Sequence, residues 1–238
     1  VADIAGLKKI AVANHAQLVI DNTFMPSIVT PIPLGADIVV YSCTKYISGA
    51  SDLIAGAIVG SSDFISSLLD INSGHVMLTG PVLDPRISHE LYMRLDHLPV
   101  RMKAHSDAAL YFAEKLEERG LKPVYPGLKS HTSHKLLADQ VNAHTGFGGM
   151  VALNVGSLEK ARSLAEKLQN EKFALFAVSL GFSRTLVSIP AASTSSEIPA
   201  EDREKLGLSD GILRFSIGYL GDLEVMTKRF FKCFDEIF

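Results

Sequence analysis

The chain has 238 residues, 47% of them apolar, and its 23 basic and 26 acidic side chains leave a formal charge of −3. Charge this balanced offers no basic stripe for a nucleic-acid backbone, and this much apolar material can bury a large core in one domain or two. Two cysteines, Cys43 and Cys233, match no CxxC spacing and are too few for a disulfide framework, which fits a reducing compartment. The longest apolar run, Leu53 to Val59 broken by Gly56, is far short of the roughly 18–20 residues that cross a bilayer.

The opening Val1-Ala2-Asp3-Ile4 has no Met, no basic n-region and no cleavage signal. A cut or processed chain is therefore expected, with any targeting sequence out of view, and a cytoplasmic location is the working expectation. Ile4, Leu7, Ile10, Ala11 and Ala13 follow the spacing of one helical face, with Asp3 placed as the N-cap. Leu18-Val19-Ile20, ending at Asp21-Asn22, and Ile38-Val39-Val40-Tyr41, ending at Ser42, read as buried parallel strands. Polar residues at the carboxyl ends of such strands matter, because ligands of open α/β sheets sit there. Leu53 to Val59 is expected as a third strand running back from those ends, followed by a short helix between Asp63 and Asn72.

From Pro85 to Arg119 the helical periodicity is broken only at Pro99, which predicts two helices, about 85–97 and 100–119, and a domain boundary near residue 97. The spacing beyond predicts strands at Leu121 to Tyr125, Met150 to Val155, Ala174 to Val178, Thr185 to Ile189 and Leu213 to Ser216, with helices at Leu158 to Leu168 and from Leu223. This is an α/β pattern with no repeats: residues 1–97 as one α/β domain or part of one, and 98–238 as a smaller α/β domain. The polar stretch Ala192 to Ser209, with Ser193-Thr194-Ser195-Ser196 inside it, is expected as a long loop with a functional or mobile character.

The sharpest chemical signal is Ser42-Cys43-Thr44-Lys45 where the second strand runs out, followed by Ser48-Gly49-Ala50-Ser51-Asp52. A lysine there suits pyridoxal 5′-phosphate (PLP), whose aldehyde forms an imine with an amine and whose phosphate needs hydroxyl donors such as Ser42 and Thr44. An ordinary loop lysine is the alternative. Asp21, ending the neighbouring strand, is the carboxylate that would keep the pyridine nitrogen protonated; its alternative is a turn cap in Asp21-Asn22-Thr23. Seven histidines between His75 and His144 raise the question of a metal, but the closest pair, His131 and His134, lacks matched carboxylates or thiolates, so no metal is expected.

The run Leu18 to Phe24, then Leu34 to Gly49, resembles the signature region of the PLP-dependent enzymes of cysteine and methionine metabolism, the cystathionine γ-synthase, cystathionine lyase and methionine γ-lyase family. The resemblance continues through Tyr125-Pro126-Gly127-Leu128, Gly146-Phe147-Gly148-Gly149-Met150, Val178-Ser179-Leu180-Gly181 and Leu213-Arg214-Phe215-Ser216-Ile217-Gly218. It implies a fold-type I α/β architecture: 1–97 as the C-terminal part of the large PLP-binding domain and 98–238 as the smaller C-terminal domain. It further implies Lys45 as the cofactor lysine, Asp21 on the pyridine nitrogen, Ser42 and Thr44 on the phosphate, and Ser179 and Arg214 on the substrate, Arg214 through its carboxylate. A guanidinium presents two parallel donors to a carboxylate, although an ion pair is the ordinary use of a lone Arg, and Ser179 could equally cap a strand end.

The implied reaction is γ-elimination on a sulfur amino acid, with methionine first, and a γ-synthase, γ-lyase or β-lyase as alternatives on the same scaffold. The implied assembly is a tetramer of active dimers, completed by an N-terminal segment of the same protein that this sequence does not contain. A different reading is a non-catalytic piece that only associates with a partner. Ser48-Gly49-Ala50-Ser51-Asp52, where many members carry a His, and Ser193-Thr194-Ser195 after Pro190-Ala191-Ala192 resemble the plant-type methionine γ-lyase branch. Arg184 stands where relatives usually have Glu, a reversal expected to affect specificity if it lies near the substrate pocket.

Overall fold

Two β-sheets organise the chain, and the computed structural model describes residues 1–194 and 196–238 of it. The first sheet has the order β1 (Val19–Asp21), β2 (Ile38–Ser42), β3 (Gly56–Val59). β1 and β2 run parallel with Asp21 level with Val40, and β3 returns antiparallel with Gly56 beside Ser42, as the apolar runs predict, but the burial expected of both parallel strands holds only for the start of β2, since β1 lies at the sheet edge with Val19 exposed. The connection between β1 and β2 is buckled by Asp37, which accepts from Lys8 Nζ at 2.6 Å and from the Leu18 amide at 2.8 Å. Those two donors, the amide first, hold its carboxyl below the usual range.

Lys8 belongs to α1 (Ile4–Ala13), whose N-cap is Asp3, accepting from the Gly6 amide as expected. The apolar face read from the sequence is only partly used: Ile4 and Ala11 are buried, while Leu7, Ile10 and Ala13 are exposed. The short helix after β3 is α2 (Ser62–Leu68), and α3 (His75–Thr79) adds one turn that the spacing does not announce. Two longer helices follow, α4 (Pro85–Leu95) and α5 (Leu98–Glu118). Pro99 does not separate them by breaking a helix; it sits in the first turn of α5, where its missing N–H has no partner to lose.

The second sheet comprises β4 (Pro123–Val124), β5 (Met150–Asn154), β6 (Leu175–Phe176), β7 (Leu186–Ser188) and β8 (Ile212–Ser216), in the order β4-β5-β8-β7-β6. A short α6 (His134–Ala138) precedes β5, and α7 (Leu158–Asn170) and α9 (Leu223–Asp235) join α5 over the sheet. Phe112 of α5, Phe173, Phe215 of β8 and Phe230 of α9 meet mostly edge to face or tilted, with centroids 5.0–6.3 Å apart. Such pairs add about 0.5–1.5 kcal/mol each beyond burial. The expected long loop at 192–209 is shorter than read: a 3₁₀ turn at Pro190–Ala192 and α8 (Ala200–Lys205) occupy part of it, while Ser195 lies outside the described residues.

α5 serves both halves. Its first turns, with Leu98 and Met102, pack into a cluster with Tyr46, Ile47 and Ile28, while Ala108 to Leu116 enter the phenylalanine core. Cys43 and Cys233 are buried and unpaired. No helix among the described residues is long and apolar enough to cross a membrane.

Candidate active site

Parallel pairing brings the carboxyl ends of β1 and β2 side by side, and short polar residues finish both. Asp21 is exposed, with Oδ1 accepting the Thr23 amide at 2.9 Å. Thr23 in turn accepts the Ser42 amide on Oγ1 at 2.8 Å, so one threonine ties the two strand ends together. Asn22 is buried and donates through Nδ2 to the carbonyls of Met25 and Val29 and to the Tyr41 hydroxyl, which freezes the chain leaving β1. The turn-cap use of Asp21 is therefore present, and it leaves Oδ2 without a partner among the described residues.

Beyond Ser42 the chain closes a tight turn, with Lys45 N donating to Ser42 O at 3.2 Å and Gly49 N to Lys45 O at 2.8 Å. Lys45 Nζ donates to Ser179 Oγ at 3.1 Å, joining residues 134 apart. Ser179 reaches it because Leu180 and Gly181 lie directly on the lysine's backbone: a Cβ on Gly181, whose φ is +80°, would fall 2.5 Å from Tyr46 N. The segment is pinned there by Ser216 Oγ, which accepts the Gly181 amide at 2.9 Å.

Arg214 lies in β8 between Ala152 of β5 and Ser188 of β7, at the centre of the second sheet. Leu213 and Phe215 face the phenylalanine core, so Arg214 and Ser216 share the opposite face. Tyr46, the residue after Lys45, runs to that face and puts its hydroxyl 3.5 Å from Ser216 Oγ. Burial pushes the Tyr46 phenol up to about 12, so it stays neutral. Among the described residues Arg214 has no ion pair or hydrogen bond, and desolvation lowers its pKa. A half-buried guanidinium left unpaired is ready for an anion that arrives from outside.

Thr44 is used differently from Ser42. Its hydroxyl donates to Ala55 O at 3.3 Å and accepts the Ala55 amide at 3.1 Å, bracing the approach to β3. Its single proton is thus committed, and binding a phosphate as a donor requires releasing Ala55. The Ser42 hydroxyl has no partner among the described residues. Arg184 is exposed and lines a groove with Lys172, Leu175, Leu220 and Met226, its backbone against Gly218. An apolar cleft of about 290 Å³ runs from Asp21 past Phe24 and Met25 to Phe147 and Met150, between the two sheets. Among the described residues no three of His, Cys, Asp and Glu converge as for a metal.

The family model described as "Cys/Met metabolism PLP-dependent enzyme" matches residues 1–227. The chain belongs to that family. Within it, the chain is 42% identical over 235 residues to a methionine gamma-lyase of Arabidopsis thaliana, covering 98% of this chain and 53% of that protein. It is 37% identical over 230 residues to a cystathionine beta-lyase of Lactococcus lactis subsp. cremoris, covering 95% and 58%. A solved cystathionine gamma-lyase from Lactobacillus plantarum, complexed with L-serine, superposes with a TM-score of 0.85 at 30% identity, over all of this chain and 60% of that one. The chain thus spans little more than half the length of these relatives, and the fold is the fold-type I α/β architecture of PLP enzymes.

The groups present fit the family's cofactor at most of its polar points. A carboxylate with one free oxygen suits the pyridine nitrogen, and an amine whose partner is a neutral hydroxyl suits the aldehyde. For the phosphate, Ser42 offers a free hydroxyl and Thr44 a committed one. Thr23, Tyr46 and Ser216 are the organising residues that sequence reasoning missed; Thr23 had a signal, lying in the same Asp-Asn-Thr string as Asp21.

Proposed function

We propose that this chain carries the lysine-bearing part of a carbon–sulfur lyase that performs γ-elimination on methionine, releasing methanethiol, 2-oxobutanoate and ammonia. The observation that carries the reading is the pairing of Lys45 Nζ with Ser179 Oγ at 3.1 Å, with Gly181, two residues beyond Ser179, held by Ser216 on the sheet face that also carries Arg214. The similarity to a methionine gamma-lyase at 42% identity supports the choice of substrate.

Bound PLP supplies an aldehyde for the substrate amine and a ring that takes up electrons from the neighbouring carbon. Arg214 holds the substrate carboxylate with two parallel N–H donors and so fixes which carbon faces Lys45. Lys45, once its amine is free, removes the Cα proton and moves protons at the adjacent carbon. Ser179 Oγ accepts from that amine and keeps it aimed at the reacting face. Asp21 holds a proton on the ring nitrogen. The Cγ–S bond breaks, the sulfur leaves as a thiol, and one water supplies the keto oxygen as nitrogen leaves as ammonia.

The remaining length of the relatives is supplied in this proposal by a preceding segment of the same protein, and the active assembly is a homo-oligomer. The cytoplasm is the proposed location. A second reading, cystathionine as substrate, is favoured by the 37% identity to a cystathionine beta-lyase. The deciding experiment offers methionine and cystathionine separately to the full-length protein and to its Lys45→Ala variant, following thiol and keto-acid release. Methionine turnover that falls by about 10³-fold or more in the variant is expected, a loss of the size that removing an acid–base group produces. Cystathionine turnover alone would change the substrate, and cofactor that borohydride still fixes covalently to the variant chain would remove Lys45 from its role.

A further inference from the structure

Among the described residues Arg101 is the one Lys or Arg that is buried, and no carboxylate pairs with it. Its donors go to backbone carbonyls and one ring nitrogen: Nη1 to Tyr46 O at 2.6 Å, Nη2 to Ile47 O at 2.9 Å and Arg94 O at 3.2 Å, and Nε to His97 Nδ1 at 2.9 Å. A buried cation without a counter-ion is costly, so what its donors hold must matter to the fold or to the site.

What they hold is the turn that carries Lys45. Ser48 N donates to Cys43 O and Gly49 N to Lys45 O, both at 2.8 Å, which leaves the carbonyls of Tyr46 and Ile47 as the open end of a single helical turn. Orphan carbonyls at such an end carry partial negative charge and accept a cationic donor well. Arg101 satisfies both at once. Gly49 makes room for it: its φ is +74°, and a Cβ there would lie 2.3 Å from Arg101 Nη1. A second arginine, Arg94 of α4, grips the far side of the loop through Ser48 Oγ at 3.0 Å and Asp52 at 2.6 and 2.8 Å.

We propose that Arg101 is a positioning residue for Lys45, a clamp from the first turn of α5 that fixes the two peptide carbonyls following the lysine and thereby the path of its amine to Ser179. The proposal rests on Lys45 being the cofactor lysine. A lysine at 101 keeps the charge but cannot span two carbonyls and His97 from one planar group. Misplacement of a reacting group by about 1 Å is enough to lose roughly 10²-fold in rate.

The test uses full-length holoenzyme carrying Arg101→Lys, with Leu164→Ala in the distant phenylalanine-sheet core as a comparison of ordinary destabilisation. For Arg101→Lys, kcat is expected to fall about 10–100-fold with KM within about threefold, because Arg214 still binds substrate. In the cofactor-free protein, acetylation of Lys45 followed by mass spectrometry is expected to quicken severalfold, since its amine no longer rests on Ser179. Leu164→Ala, assayed per folded molecule, should change neither. Unaltered kcat and unaltered Lys45 acetylation in Arg101→Lys would overturn the clamp. Should that variant fail to fold, Arg101→Gln, which leaves the turn's backbone untouched and keeps a single donor without the buried charge, takes its place, and the same two readouts decide. Cofactor that borohydride still fixes covalently to the Lys45→Ala chain marks instead the failure of the Lys45 reading, and the clamp falls with it.

Discussion

The two sheets differ in how far each completes its own packing. The five-stranded sheet is covered by α5, α7 and α9 around Phe112, Phe173, Phe215 and Phe230, all nearly inaccessible. The three-stranded sheet leaves every residue of β3 exposed, along with Val19 at 52%, and nearby Ile54 and Val82 stand 84% and 89% exposed. Lys45 and Asp21 belong to this second, open region. Its reactive turn is held by groups on loan from the first: Ser179, Gly181, Ser216 and Arg101. The lesson is that stability and chemistry are divided between regions, and that the contacts joining them carry the geometry of the site.

That division can be broken by substitution. Phe215→Ala, in the closed region and touching three other phenylalanines, is expected to lower unfolding stability by about 3–5 kcal/mol in denaturant titration. Lys45→Ala, in the open region, is expected to change that stability by no more than about 0.5 kcal/mol while removing turnover. A large stability loss at Lys45 would mean that its contact with Ser179 is structural.

The junction itself is expected to be pH-sensitive through His105. Its Nδ1 donates to Ile217 O at 2.6 Å, its ring lies edge-on to Tyr46 and Tyr219, and Nε2 has no partner among the described residues. Burial first, with Arg101 nearby also opposing the charge, lowers its pKa to about 4 from an ordinary value near 6.5, against the pull of the Ile217 carbonyl. A folded pKa below the unfolded one means that the unfolded chain binds the extra proton. The stabilisation is therefore complete above the ordinary value and is lost as pH falls from there toward the folded value. Unfolding free energy is expected to be about 2 kcal/mol lower at pH 5 than at pH 7 from this group, and His105→Gln should flatten that part of the slope. An unchanged slope in the variant would assign the effect elsewhere.

The smallest effect is expected at the surface of the closed region, where Arg119 pairs with Asp235 at 2.6 Å with both side chains about half exposed. Arg119→Ala should shift stability by no more than about 1 kcal/mol, and less in high salt. A loss comparable to that at Phe215 would place this pair, and the contact of Arg119 with the Phe231 ring, among the fold's main supports.

Continuous apolar runs made β1, β2 and β3 legible, including the antiparallel return of β3, because such runs and the polar residues that end them are local signals. It gave no notice of α3 or α6, each of five residues, since one helical turn carries too little pattern. It placed Pro99 correctly as an interruption but misread its use, as a proline in a first turn and one that ends a helix look alike in sequence.

What the sequence by itself determined is the local chemistry: a carboxylate and a lysine at the ends of adjacent parallel strands, in motifs specific enough to mark the family. Only the tertiary structure decided which distant groups meet them. Ser179 returns to Lys45 across 134 residues, Thr44 spends its hydroxyl on Ala55, and Arg101 closes on the lysine's turn. The physical reason is range: backbone propensity and side-chain spacing act over a few residues, whereas these partnerships exist only after α5 and the second sheet have packed against the first.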